Sequence, residues 1–143
     1  MQISTFARYG LRALIRLVKI TKTDKKVASI KEIAKIEHIS AKYLESIFSV
    51  LKKTGYLTSV KGKYGGYHLT KPANEITVYE IINTLDGNIS PVNCVDNFNK
   101  CADPPPVCTV WYLWKELDEV IKNTLNNKTL EDLADNVNNK ILL

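Results

Sequence analysis

Residues 28–72 read "ASIKEIAKIEHISAKYLESIFSVLKKTGYLTSVKGKYGGYHLTKP". Ser29 followed by Glu32 is a capping box, which starts a short helix at about Ile30. That helix runs through Ile33, Ala34 and Glu37, and "HIS" breaks it. Ser40 then caps a second helix with an apolar face of Leu44, Ile47, Phe48 and Leu51. Gly55 suits the left-handed residue just past a helix end. Two short helices, a brief turn and one buried stripe on each describe a helix-turn-helix. "YLTSV" and "GYHLT" follow as two short strands rich in β-formers, and "KGKYGG" between them supplies the glycines of a tight hairpin. The hairpin is a wing placed directly after the helix-turn-helix.

Outward from this block, residues 4–21 read as a helix, with Leu11, Leu14, Ile15 and Val18 at the spacing of one helical face. Arg8, Arg12, Arg16 and Lys19 form a second stripe that lies either along phosphates or in solvent. "ITVYEIINTLDG" opens with a second capping box, Thr77 and Glu80, and closes at Gly87. Pro91 and the run Pro104 to Pro106 argue against regular structure between them, so that segment reads as a loop. A long helix is expected from near Val107. Its stripe of Val110, Trp111, Trp114, Leu117, Val120, Ile121 and Leu125 is too apolar for a lone surface helix. Thr129 can cap a last helix, "LEDLADNV". The expected class is mainly α: a winged helix-turn-helix domain over residues 1–87, a cysteine loop over 88–106, and a dimerisation helix with a C-terminal helix over 107–143.

The chain has 143 residues and a net charge of +5, but the charge is split. Residues 1–75 carry 15 Lys and Arg against 5 Asp and Glu; residues 76–143 carry 5 against 10. The basic half is a candidate polyanion-binding surface. A helix in the major groove reads bases with side chains near its N-terminus. Here those are Ser40, Lys42, Tyr43, Glu45 and Ser46. A carboxylate such as Glu45 accepts from cytosine N4, or else pairs at the surface with Lys42 or Ser49. Lys61 at the wing tip suits a narrow minor groove, Lys63, Tyr64 and Gly65 of the wing are further candidate DNA contacts, and Arg8 and Tyr9 fall beside the backbone. An enzyme is not expected. The two histidines, His38 and His68, fall in a turn and a wing strand, and no phosphate loop or nucleophile elbow is present. No apolar run approaches the roughly 20 residues that span a bilayer, and no secretory signal is read, so the expected location is the cytoplasm.

Cys94, Cys101 and Cys108 are all the cysteines of the chain, with six residues between neighbours. Three readings are open: a disulfide with one thiol left over, ligands of a metal centre, or buried filler. In a reducing compartment clustered cysteines more often bind metal or sense redox state. Thiolates are the usual ligands of Fe–S clusters, and zinc, which three cysteines and one more ligand would satisfy, remains a rival.

The chain resembles the Rrf-type winged-helix regulators, which include IscR-, CymR- and NsrR-type repressors. The resemblance rests on "ARYGLRAL", on "ISAKYLESIFSVLKKTGYLTSVKGKYGGYHLTKPANEITVYEII", on "LDGNISPVNC" and on "CTVWYLWKELDEVIKNTLNNKTLEDL". It implies a homodimer that exchanges long C-terminal helices and binds a pseudo-palindromic double-stranded operator. It also implies an iron–sulfur cluster on Cys94, Cys101 and Cys108, [2Fe–2S] favoured over [4Fe–4S], because three cysteines at these positions ligate a cluster in IscR-type members. CymR-type members share "RYGL" and "ISPV" without the cysteines, which keeps open a repressor governed by a partner protein or by thiol state. NsrR-type members sense nitric oxide. Two departures concern the fourth ligand. Trp111 stands where one IscR branch has a histidine, and Arg8 where NsrR-type members have a carboxylate. Asp96, Asp103, a residue of the partner chain or a small exogenous ligand remain to complete the site. A cluster-carrying electron-transfer protein fits less well, because such a carrier needs no basic helix-turn-helix.

Overall fold

The computed structural model describes residues 2–103 and 106–136. Pro104, Pro105 and residues 137–143, with them Val137 of the expected last helix, lie outside that range.

Helix α1, Thr5–Thr21, starts where the Ser4 side chain accepts from Ala7 N. Its buried face is Ala7, Gly10, Ala13, Leu14, Leu17 and Val18, at helical spacing. Helix α2, Ile30–Glu37, is capped by Ser29 accepting from Glu32 N, and ends at His38 in the left-handed region (φ 55°). Helix α3, Ala41–Lys53, is capped by Ser40 and buries Leu44, Ile47, Phe48 and Leu51. Gly55 follows at φ 87°, as its position past the helix end predicts. Strands β1, Leu57–Val60, and β2, Gly66–Leu69, pair antiparallel, with Leu57 opposite Leu69 and Val60 opposite Gly66. Gly65 closes the turn from the wing side: a Cβ there would run into the Val60 carbonyl oxygen.

Helix α4, Val78–Asp86, carries the full capping box of Thr77 and Glu80. A single turn, α5, spans Asn93–Asp96, and a 3-10 turn covers Phe98–Lys100. The cysteine segment therefore holds more local structure than its prolines predict, because Pro91 and the proline run flank residues 93–100 and do not interrupt them. Helix α6, Trp111–Asn126, begins later than the expected Val107, and Val107 stays exposed. Helix α7, Leu130–Asn136, is the last element described.

The main core joins α1, α2, α3 and the wing with Ile76 and Ile81, and α7 adds Leu130 and Ala134 to it. A smaller cluster of Ala7, Val78, Ile82 and Ile89 receives Ile121 and Leu125 of α6. The backbone also ties α7 home. Val78 N donates to Lys128 O at 2.8 Å and Leu130 N to Ile76 O at 3.0 Å. Lys22 at the end of α1 reaches Glu131 and Asp135 at 3.3 and 2.7 Å. So α7 packs into the winged-helix core, although in the chain it follows α6. Among the described residues no helix is long and apolar enough to cross a membrane.

Candidate nucleic-acid interface and cysteine site

The cap and first two turns of α3 present Ser40, Lys42, Glu45 and Ser46 to solvent. The Ser40 oxygen caps the helix, accepting from Tyr43 N at 3.1 Å, and Ser46 donates to Tyr43 O at 2.6 Å. Both serines are thus partly engaged by their own helix. Lys42 and Glu45 are the free-standing long side chains of that face. Tyr43 is half-buried. Its ring meets Phe6 and Tyr9 edge-on, at 5.9 and 6.0 Å between centroids. The aromatic contact joins the starts of α1 and α3, so Tyr43 helps set how α3 sits on α1. Phe6 has no charge or hydrogen-bonding group, and a reading aimed at polar contacts passes over it.

The arginine stripe of α1 is divided. Glu37, at the end of α2, takes Arg12 at 3.2 Å and Arg16 at 2.7 Å. Arg12 also donates to the Glu37 carbonyl at 2.8 Å and lies over the Tyr9 ring. These two cations are structural ties between helices. Arg8 is exposed and donates to Thr5 Oγ1 at 3.0 Å within its own first turn. At the wing Lys61, Lys63 and Tyr64 are exposed, and Tyr64 reaches 84% exposure with the Lys63 ammonium over its ring. An aromatic ring that exposed has no packing role in the chain itself.

Cys94, Cys101 and Cys108 are free and half-buried. Cys94 lies in α5, Cys101 just after the 3-10 turn, and Cys108 three residues before α6. Burial, then the charge and hydrogen bonding of Cys101 and the charge of Cys108, push the Cys94 thiol above its ordinary value. The thiols therefore feel one another. Among the described residues, however, no three His, Cys, Asp or Glu side chains converge closely enough to hold one metal ion.

The α5 turn is held from α6 at two points. The Trp111 indole donates to the Cys94 carbonyl at 3.3 Å, and Lys122 reaches Asp96 at 3.1 Å. Trp111 is 5% exposed within its own chain, and Ile121 and Leu125 lean on the smaller core. Of the expected interface stripe, Val110, Leu117 and Val120 are left exposed, with Tyr112 and Leu113 beside them. Trp114 is half-buried. Burial works against the Asp96 carboxylate, but Ser90, Lys122 and Asn88 together hold its carboxyl below the usual value. Burial likewise opposes the Lys122 charge, and Asp118 and Asp96 keep that ammonium above its usual value.

A recognition helix and a basic wing on one scaffold define the class, a winged-helix DNA-binding protein. Comparison with known proteins gives the particular family. Residues 3–136 match the model of the Rrf2 family, described as "Iron-dependent Transcriptional regulator". The chain belongs to the Rrf2 family; it is a transcription regulator and not an enzyme. It is 38% identical over 133 residues to Protein rrf2 of Nitratidesulfovibrio vulgaris, spanning 93% of this chain and 87% of that protein. The solved structure of CymR (YrzC), the global cysteine regulator of B. subtilis, superposes with a TM-score of 0.81 at 38% identity, covering 94% of this chain and 97% of that one. IscR of T. potens superposes with a TM-score of 0.77 at 28% identity, covering 96% of this chain and 88% of that one.

Proposed function

We propose that this Rrf2-family regulator acts as a homodimeric repressor in the cytoplasm, and reads iron or redox status through an iron–sulfur cluster held by Cys94, Cys101 and Cys108. The observation that carries this reading is the placement of three half-buried free thiols in one short segment, with the turn that bears Cys94 fastened to α6. A [2Fe–2S] cluster fits the donors better than a lone zinc. Thiolates are the usual ligands of such clusters, and a fourth ligand beyond the three cysteines would complete it, as it would for zinc. When bound, the cluster would supply a redox-active, oxygen-sensitive group; the chain supplies thiolates, a backbone turn and a route to α6.

The DNA half of the reading is specific. Lys42 and Glu45 face the major groove, Lys61, Lys63 and Tyr64 the minor groove and backbone, and Arg8 the flanking phosphates. Ser40, Ser46, Tyr9, Tyr43 and Gly65 shape the surface these residues stand on. The exposed apolar residues of α6 meet those of a second copy, since a face of that size on a lone helix is poorly satisfied by water.

Purification without oxygen, followed by iron and sulfide analysis and a visible spectrum, tests the cluster. Expected are iron and acid-labile sulfide in equal amounts and a thiolate-to-iron absorption band, lost in Cys94→Ala, Cys101→Ala and Cys108→Ala. A colourless, iron-free protein that binds its operator identically with and without iron would end the reading. A second reading is favoured by the free, half-buried state of all three thiols and by the likeness to CymR. In it the chain is a thiol- or partner-controlled repressor without a cluster. Its signature is DNA affinity that follows thiol oxidation in iron-free protein.

A further inference from the structure

Asp118 is the charged residue buried most deeply among the described residues, at 5% exposed. It sits on α6, and none of the proposed DNA contacts uses it. Its Oδ1 accepts from the Ser90 hydroxyl at 2.6 Å, and its Oδ2 lies 2.8 Å from Lys122 Nζ one turn along the helix. The same ammonium reaches Asp96 Oδ1 at 3.1 Å, and Asp96 Oδ2 accepts from the Asn88 side-chain amide. Asn88 in turn accepts from Ser90 N at 2.9 Å. One lysine therefore bridges two carboxylates on two elements, and the segment leaving α4 closes the ring.

A buried carboxylate is costly unless it is paired and hydrogen-bonded, and removing one partner leaves the other charge stranded. A net of this kind is well made for fixing one arrangement. What it fixes is α5, because Asp96 lies two residues after Cys94. With the Trp111 bond to the Cys94 carbonyl, both ends of that turn are fastened to α6.

We propose that Lys122 is the positioning residue of the cysteine site: paired with Asp118, it holds Asp96 and hence the turn bearing Cys94 against α6, which sets the place of Cys94 relative to Cys101 and Cys108. This rests on reading the three thiols as one site. Any rearrangement that draws Cys94 towards the other two must shift Asp96 against Lys122. The change is then delivered to α6, the helix with the exposed apolar face. Asp96 is thereby engaged as an anchor and is not a free ligand.

The test uses the full-length, reduced, metal-free protein. Each cysteine is labelled with limiting maleimide, and the three peptides are followed by mass spectrometry. Lys122→Met should raise the labelling rate of Cys94 by about tenfold relative to Cys101 and Cys108, through local opening of the turn. Lys122→Arg, which keeps the charge, should return the rate close to the parent's. Asp96→Asn loses the partly exposed arm of the net and should act in the same direction should Lys122→Met fold poorly. An unchanged Cys94 rate in a folded Lys122→Met or Asp96→Asn protein, or equal acceleration of all three thiols, would overturn the proposal. A parallel arm offers iron and sulfide to the parent protein. Failure there removes the cluster reading and leaves the labelling result standing on its own.

Discussion

Tyr43 stands where α3 meets α1, and the sequence alone leaves it open between a DNA contact and a partly buried position. The structure gives it a second duty, edge-on to Phe6 and Tyr9. The two duties separate by substitution. Tyr43→Phe keeps the ring contacts and should leave the urea midpoint unchanged, whereas Tyr43→Ala should lower stability by about 2 kcal/mol. Equal midpoints for the two variants would show that the ring does no packing. Lys61 is simpler, because it is exposed at the wing. Lys61→Ala should weaken binding to every operator and reduce the slope of log affinity against log salt by about 1. An unchanged slope would remove Lys61 from the phosphate contacts. Glu45 differs again, since a carboxylate repels phosphate unless a cytosine amine meets it. Residue roles of this kind are only half legible in a sequence. The spacing of Arg12 and Arg16 shows a shared face, but nothing local shows that Glu37, more than 20 residues on, claims both.

At the scale of elements, legibility follows the length and locality of the signal. The helix starts at Ser29, Ser40 and Thr77 are written in single side chains that bond a backbone amide three residues on, and each forms as its residue type demands. Thr77→Ala should accordingly cost about 1 kcal/mol, read by thermal unfolding; no loss would mean that Glu80 alone holds that end. The cysteine segment was less legible, because its one-turn helix is too short to show periodicity and is held by Trp111 and Lys122 from another element. The start of α6 differs from the expected Val107 for a related reason. Val110 offers no capping side chain, so the helix begins where Trp111 is buried. That burial divides the apolar stripe of α6 between a part packed on the chain's own core and a part left exposed, which the proposed dimer would cover. Leu117→Glu, on the exposed part, should yield a folded monomer in sedimentation, because it places a charge in the contact without disturbing the core. A parent protein that sediments as a monomer at micromolar concentration would contradict the interface.

Across the whole molecule, the basic N-terminal part and the acidic C-terminal part are not independent blocks. Asp86, at the end of α4, accepts from both the backbone N–H and the hydroxyl of Ser4, the cap of α1. The segment that follows it runs through Asn88 and Ser90 to Cys94. Packed contacts thus extend from the cysteine turn through the ends of α4 and α1 to Phe6 and Tyr43. Contiguity permits coupling without establishing it; coupling requires that both sites bias one two-state element. The fold could be read from sequence because its signals are local, whereas the long-range ties that would carry a signal pair residues up to 82 positions apart. The central claim is that the state of the cysteine site changes which operators α3 accepts. Its most direct test is the affinity of cluster-loaded and metal-free protein across one randomised operator library, at fixed salt and without oxygen. The account predicts that the two forms rank operators differently, and that Glu45→Ala narrows the difference. Equal affinities of the two forms across the library would contradict it.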